Sequence, residues 1–143
     1  MNKINWNRVI LGGLAAGLII NLGEYLVNGV ILQQHWAEAM KQLGKPGQLG
    51  GVQIAAFNVA GFLMGIYTIW LYAAIRPRYG AGPKTAVCAG AAVWGLGYLL
   101  AGIAPLVTHI LPRRLMAIGI AVGLIEVIVA ALAGAWFYRE EAA

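Results

Sequence analysis

Four unbroken apolar runs, each long enough to cross a lipid bilayer, constrain the fold of this chain more than any other feature. They are Val9–Leu32, Val52–Ile75, Ala86–Thr108 and Leu115–Tyr138. About 20 apolar residues of α-helix span a hydrocarbon core, and these continuous runs differ from the alternating pattern of β-barrel strands. Only 10% of the 143 residues are charged, whereas soluble domains carry about 25%. The sequence therefore predicts an all-α, polytopic membrane protein: one domain over residues 1–143, with four transmembrane helices in a bundle of two hairpins.

The connection between the first and second runs contains a short amphipathic segment. Its apolar residues recur at helical spacing, at Trp36, Ala39, Met40 and Leu43. This spacing predicts a short helix over Gln34–Leu43 that lies in the membrane interface. Because proline fixes φ and lacks an N–H, we expect Pro77 to end the second span and Pro105 to kink or end the third.

Basic residues in the loops set the expected orientation. An even number of spans puts both termini on one side, together with Lys3, Arg8, Arg76, Arg78, Lys84 and Arg139. The opposite side carries Lys41, Lys45, Arg113 and Arg114. Cytoplasmic loops are enriched in Lys and Arg, so this bias favours cytoplasmic termini. Basic residues that flank the spans and contact anionic lipid account for the net charge of +5, and we expect no nucleic-acid partner.

Two acidic residues, Glu24 and Glu126, lie inside the apolar runs, where ionisable side chains are costly and usually functional. Glu24 belongs to a stripe on one helical face, formed by Gly13, Gly17, Asn21, Glu24 and Asn28. At about 1.5 Å per residue, Glu126 lies near the midplane and Glu24 about 5 Å from it. Asn28 and Asn58 fall in the same half of the membrane as Glu24, opposite the termini. The sequence thus predicts a polar cluster there, formed by Glu24, Glu126, Asn21, Asn28 and Asn58.

Glycine pairs four residues apart recur in three of the runs. The pairs are Gly13/Gly17, Gly61/Gly65 and Gly119/Gly123. Small residues at this spacing let membrane helices approach closely, so each pair predicts a tightly packed helix neighbour. Four such helices present more packing seams than one small bundle can satisfy. We therefore expect a homo-oligomer or a larger membrane complex, with the lipid bilayer as the surrounding partner.

Two functions follow from the polar cluster. The favoured one is structural: the polar residues act as interhelical glue, each contributing about 0.6–2 kcal/mol, in a non-catalytic accessory or scaffold subunit. The alternative is a proton- or cation-coupled small-solute transporter or channel that uses Glu24 and Glu126. In that case Asn21, Asn28 and Asn58 would be neutral ligands. Glu→Gln substitutions should be tolerated in the first case and abolish activity in the second.

A membrane enzyme or a haem or redox carrier is the third function considered. His35 and His109 lie in the two loops on the same side and are the candidate metal ligands, but two histidines are too few for a closed zinc site. Cys88 is the one cysteine, so the sequence contains no cysteine pair for an internal disulfide or a metal site. The four-span plan is similar to that of microsomal glutathione-transferase-type enzymes, yet their arginine-bearing motif is missing, since no Arg or Lys lies inside any run. The sequence thus favours a protein that is not an enzyme, and we expect no cofactor.

One local pattern resembles a known group of proteins. The segment Gly23-Glu24-Tyr25, followed by Trp36, ends a first span rich in Gly and Ala. It resembles small bacterial four-helix integral membrane proteins of unknown function, in which a similar aromatic turn and a downstream Trp follow the first span. The resemblance implies a multi-pass protein of the bacterial inner membrane. It implies no activity and no binding residues.

Overall fold

The computed structural model describes residues 3–139, and within that range all regular structure is helical. The elements are α1 (Trp6–Glu24), the π-helix π1 (Tyr25–Ile31), α2 (Gln33–Gln42), α3 (Gly51–Tyr79), α4 (Pro83–Trp94), the π-helix π2 (Gly95–Leu100), α5 (Ala101–Val107) and α6 (Arg113–Phe137). Four helices are long and apolar enough to cross a membrane: span 1 (Trp6–Ile31), span 2 (Gly51–Tyr79), span 3 (Pro83–Val107) and span 4 (Arg113–Phe137). The prediction of an all-helical chain with four such helices is confirmed.

The helix ends follow local chemistry. Asn5 caps α1, because its side-chain oxygen accepts a hydrogen bond from the backbone N–H of Arg8 at 3.1 Å. The prediction that Pro77 ends span 2 is wrong, since α3 continues for two residues beyond it. Pro77 removes one backbone hydrogen bond, and it does so in the last turn of α3, so only two further residues depend on the helix continuing past it. Gly80 then ends α3 with φ +87°, a backbone conformation that favours glycine.

Glycine contacts bring the spans together at backbone distance. A Cβ added at Gly65 would overlap backbone atoms of Gly13 and Gly17, so spans 1 and 2 interlock. Likewise, a Cβ added at Gly12 would overlap the carbonyl oxygen of Gly134, and one added at Gly134 would overlap that of Gly12. Such close approach is what small residues permit in membrane helices. Spans 2 and 4 therefore both pack directly on span 1.

The main apolar core occupies the half of the molecule next to the chain termini. It comprises Val9, Ala16, Ile20, Ile69, Tyr72, Ala73, Ala86, Ala89, Ala130 and Tyr138. All of these except Ile20 lie on the terminal side of the midpoint of their span or beyond its end. In the other half, a small cluster of Leu32, Ala39 and Leu115 seats α2 on the start of α6, and every residue of the segment Gly51–Ala60 is exposed. Packing is thus dense on the side of the termini and sparse on the opposite side.

Candidate functional site

Glu24 is the last residue of α1 and is half-buried. Its Oε1 accepts a hydrogen bond from the Tyr98 hydroxyl at 2.8 Å, and its Oε2 accepts one from the Asn28 side-chain amide at 2.6 Å. Tyr98 lies inside span 3, where a hydroxyl group needs a hydrogen-bond partner, and Glu24 is that partner. The Glu24 carboxyl group therefore ties span 1 to span 3.

Glu126 of α6 is buried, with 8% of its surface exposed. Its Oε1 is inaccessible and has no hydrogen-bond partner among the described residues. This oxygen lies against Gly23, where an added Cβ would overlap it. The Glu126 carboxyl group also interacts directly with that of Glu24, the next residue along span 1. Two acidic side chains thus share one site, and one of them has an unsatisfied oxygen.

The site continues outward to α2. The indole Nε1 of Trp36 donates a hydrogen bond to Asn28 Oδ1 at 2.9 Å. Hydrogen bonds therefore connect four side chains one after another, with Glu126 beside them: Trp36, Asn28, Glu24 and Tyr98. We call these five residues the polar chain. At about 1.5 Å per residue, Glu126 lies about 2 Å, Tyr98 about 5 Å and Glu24 about 8 Å from the midpoint of its span. The polar chain therefore runs from the centre of the helices toward the side opposite the termini.

Two π-helices carry residues of the polar chain. π1 begins immediately after Glu24 and contains Asn28, and π2 contains Tyr98. Such wide turns are rare and are frequent at functional sites. The Tyr98 ring lies against Gly123 of α6, where an added Cβ would overlap it. Glycine at position 123 therefore leaves the space through which Tyr98 reaches Glu24.

No basic side chain neutralises this pair of acids. Every described Lys, Arg and His lies in α2, in a connection, or within three residues of the end of a span. Two ionised carboxylates side by side in a low-dielectric interior repel each other strongly. One proton shared between Glu24 and Glu126 would remove that repulsion. The arrangement therefore favours one proton held between the two carboxyl groups.

The other predicted amides lie elsewhere. Asn21 Nδ2 donates to the backbone oxygen of Asn58 at 3.0 Å, and Asn58 Nδ2 donates to the backbone oxygen of Ile54 at 2.8 Å. The Asn21 amide occupies the space beside Gly61. These two asparagines therefore connect span 1 to span 2, whereas Glu24 is bonded to span 3.

The predicted histidines are separate from the polar chain. His35 is exposed on α2, and His109 is exposed in the last connection, where Arg113 Nε donates to its Nδ1 at 3.3 Å. Between residues 3 and 139, no group of three or more His, Cys, Asp or Glu side chains could hold a metal ion. The sequence predicts that Gly119 packs closely against a neighbouring helix. In the structure, a Cβ added there would meet no atom within 4 Å.

Sequence reasoning did not assign Tyr98 and Trp36 to the site. Both are aromatic residues with a polar donor, and such donors usually find a partner when buried. Applied to Trp36, that rule would have pointed to Asn28, the nearest polar side chain at the end of span 1. No protein-family model, curated protein or solved structure matches this chain.

Proposed function

We propose that this chain is a multi-pass membrane protein that couples proton binding at Glu24 and Glu126 to transport across the bilayer. The observation that carries the proposal is Glu126 Oε1, which is buried without a donor beside a second carboxyl group. Nearly all buried polar groups in proteins have a hydrogen-bond partner, and the exceptions call for an explanation. A carboxyl group that takes up and releases a proton provides one.

The purely structural role that the sequence favours does not explain Glu126. A polar side chain stabilises a helix contact when both the donor and the acceptor are satisfied. The hydrogen bond from Trp94 Nε1 to the backbone oxygen of Ile120, at 2.8 Å, is an example. The Glu126 carboxyl group interacts with that of Glu24, but its Oε1 is buried without a partner, and that oxygen adds cost without adding a bond. A site that exchanges protons tolerates that cost because the free oxygen is the place where the proton binds.

Polar side chains lead to the carboxyl pair from one side of the helices only. The polar chain leads to Glu24 and Glu126 from the side opposite the termini, and the main apolar core lies between the pair and the terminal side. Protons would therefore enter from the loop side. Transport would require a second conformation in which the pair is accessible from the terminal side.

An accessory role in a membrane assembly is the second candidate. It is favoured by Gly51–Ala60, whose ten residues are all exposed. Asn58 in this segment lies about 10 Å from the midpoint of span 2, within the hydrocarbon region. An exposed amide at that depth would be stabilised by a partner helix, from a second copy or another subunit.

The proposed topology follows from the charge bias and the four apolar helices. The spans would form a bundle of two hairpins with cytoplasmic termini, and α2 would lie in the interface on the other side. The resemblance of the Glu24 segment to small bacterial membrane proteins supports placement in a bacterial inner membrane.

The test is proton flux in liposomes that contain the purified protein. Under an imposed pH gradient, we expect Glu126→Gln and Glu24→Gln each to lower the flux by at least about a hundredfold, the usual effect of removing a proton-transferring group. Glu38→Gln is the matched control, because Glu38 is exposed on α2. If both Gln variants within the spans keep the wild-type flux and fold normally, the structural role would stand and the transport proposal would not.

A further inference from the structure

We propose that α2 is a gate: Trp36 closes the outer end of the polar chain, and protons reach Glu24 only when α2 moves away. This inference rests on the proton-coupled function proposed above and assigns the element that controls access to the same site. It is carried by the hydrogen bond from Trp36 to Asn28, by the chemistry of the indole group, and by the sparse contacts that hold α2 in place.

The chemistry of the polar chain makes its outer end a barrier. An indole N–H can donate a hydrogen bond but has no acceptor site, and a carboxamide donates through nitrogen and accepts through oxygen. A proton that arrives from water therefore finds no acceptor on Trp36. Asn28 offers its oxygen to that indole and its nitrogen to Glu24, and a carboxamide neither gains nor loses a proton near neutral pH, so Asn28 does not pass a proton on. Water must bypass Trp36 to exchange a proton with Glu24.

Few buried apolar contacts hold α2 against α6, so α2 can move away. Ala39 is the one buried residue of α2, and it packs against Leu32 and Leu115. A pocket of about 230 Å³ remains between α2 and α6, lined by His35 and Ala39 on one side and by Pro112 and Leu115 on the other. Segments with few buried apolar contacts open at low free energy.

A glycine-rich connection follows α2 and permits this movement. It contains Gly44, Gly47 and Gly50, and Gly44 has φ +69°. Glycine is free of the steric limits that a side chain imposes on the backbone. The other end of α2 joins π1 at Leu32, so opening would swing α2 about the junction that leads to Asn28 and Glu24.

Charged groups around the gate contribute less than the Trp36 hydrogen bond. The titratable groups that face Glu24 are Tyr98 of span 3 and Glu126 of span 4. Around α2 they are His35, Glu38, Lys41 and, on α6, Arg114, all of them exposed. Exposed charges are screened by salt within about 8–10 Å. Closure therefore depends mainly on the indole donor and the apolar seat.

The first test removes the donor and keeps an aromatic ring. We expect Trp36→Phe to speed proton equilibration about five- to tenfold, the change in population that loss of one hydrogen bond supports. Trp136→Phe is the matched control, because Trp136 is 80% exposed at the other end of the molecule, and it should leave the rate unchanged. An unchanged or slower rate in Trp36→Phe would contradict the gate.

The second test locks α2 on its seat. Ala39→Cys and Leu115→Cys, combined with Cys88→Ala, place one cysteine pair where α2 meets α6. Oxidation should lower proton flux to the level of Glu126→Gln, and a reductant should restore it. Full flux after complete cross-linking would overturn the gate.

The two proposals fail in different ways. If Glu126→Gln abolishes flux while Trp36→Phe and the cross-link leave flux unchanged, the carboxyl pair carries protons and α2 is not its gate. If Glu126→Gln leaves flux unchanged, the proposed function itself is wrong.

Discussion

Gly65→Ala should destabilise the folded protein by about 3 kcal/mol, the upper end of the usual cost of overpacking a core. The new Cβ would overlap backbone atoms of Gly13 and Gly17 on span 1. A backbone cannot rotate away as a side chain can, so spans 1 and 2 would have to separate. The measurement is the thermal unfolding midpoint of the protein in mild detergent, which should fall markedly.

Gly119→Ala is the matched control for Gly65→Ala. It makes the same chemical change in a membrane-spanning helix, but its Cβ would meet no atom within 4 Å. Alanine favours helix over glycine by up to about 1 kcal/mol, so the midpoint of Gly119→Ala should stay the same or rise. Equal midpoints for the wild type and Gly65→Ala would contradict the close packing of span 1 on span 2.

Gly23→Ala should abolish proton flux while the protein still folds. Its Cβ would overlap the side chain of Glu126 rather than a backbone, so Glu126 can turn away and the helices can stay in place. The carboxyl group would then leave its position beside Glu24. We expect flux to fall to the residual level of Glu126→Gln, with a loss of stability of about 1–2 kcal/mol.

Two measurements on each sample separate these effects: proton flux in liposomes and the unfolding midpoint in detergent. Gly95→Ala in π2 is the control for Gly23→Ala, because a Cβ there has nothing within 4 Å, and it should keep full flux. If Gly23→Ala also keeps full flux, the position of the Glu126 carboxyl group does not matter and the transport proposal loses its main support.

The apolar helices and the acids inside them could be recognised from the sequence alone. Bilayer thickness fixes how long an apolar run must be, and a carboxyl group inside such a run is conspicuous. The residues at which the helices begin and end can be predicted less accurately. The apolar run predicts span 2 to end at Ile75, whereas the helix continues to Tyr79 through a last turn that carries Arg76 and Arg78. Apolar length does not detect a helix that extends into its polar flank.

The partners of the acids could not be predicted in the same way. Asn21 and Glu24 share a stripe in the sequence, yet Asn21 bonds to span 2 and Glu24 to span 3. These helices are apolar on every side, so the pattern of residues does not say which face meets which neighbour. π1 and π2 add to the difficulty, because a wide turn rotates every residue that follows it relative to α-helical spacing.

The uneven distribution of buried side chains has a consequence for how the surrounding lipid acts on the protein. In a bilayer, one leaflet would surround the half in which interlocked glycines and the main core resist deformation. The other leaflet would surround the sparsely packed half, which holds α2 and most of the polar chain. Changes in acyl-chain order or headgroup composition would then affect proton entry when they occur in that second leaflet, and the same changes in the first would have little effect. The protein would respond to the two faces of an asymmetric membrane differently.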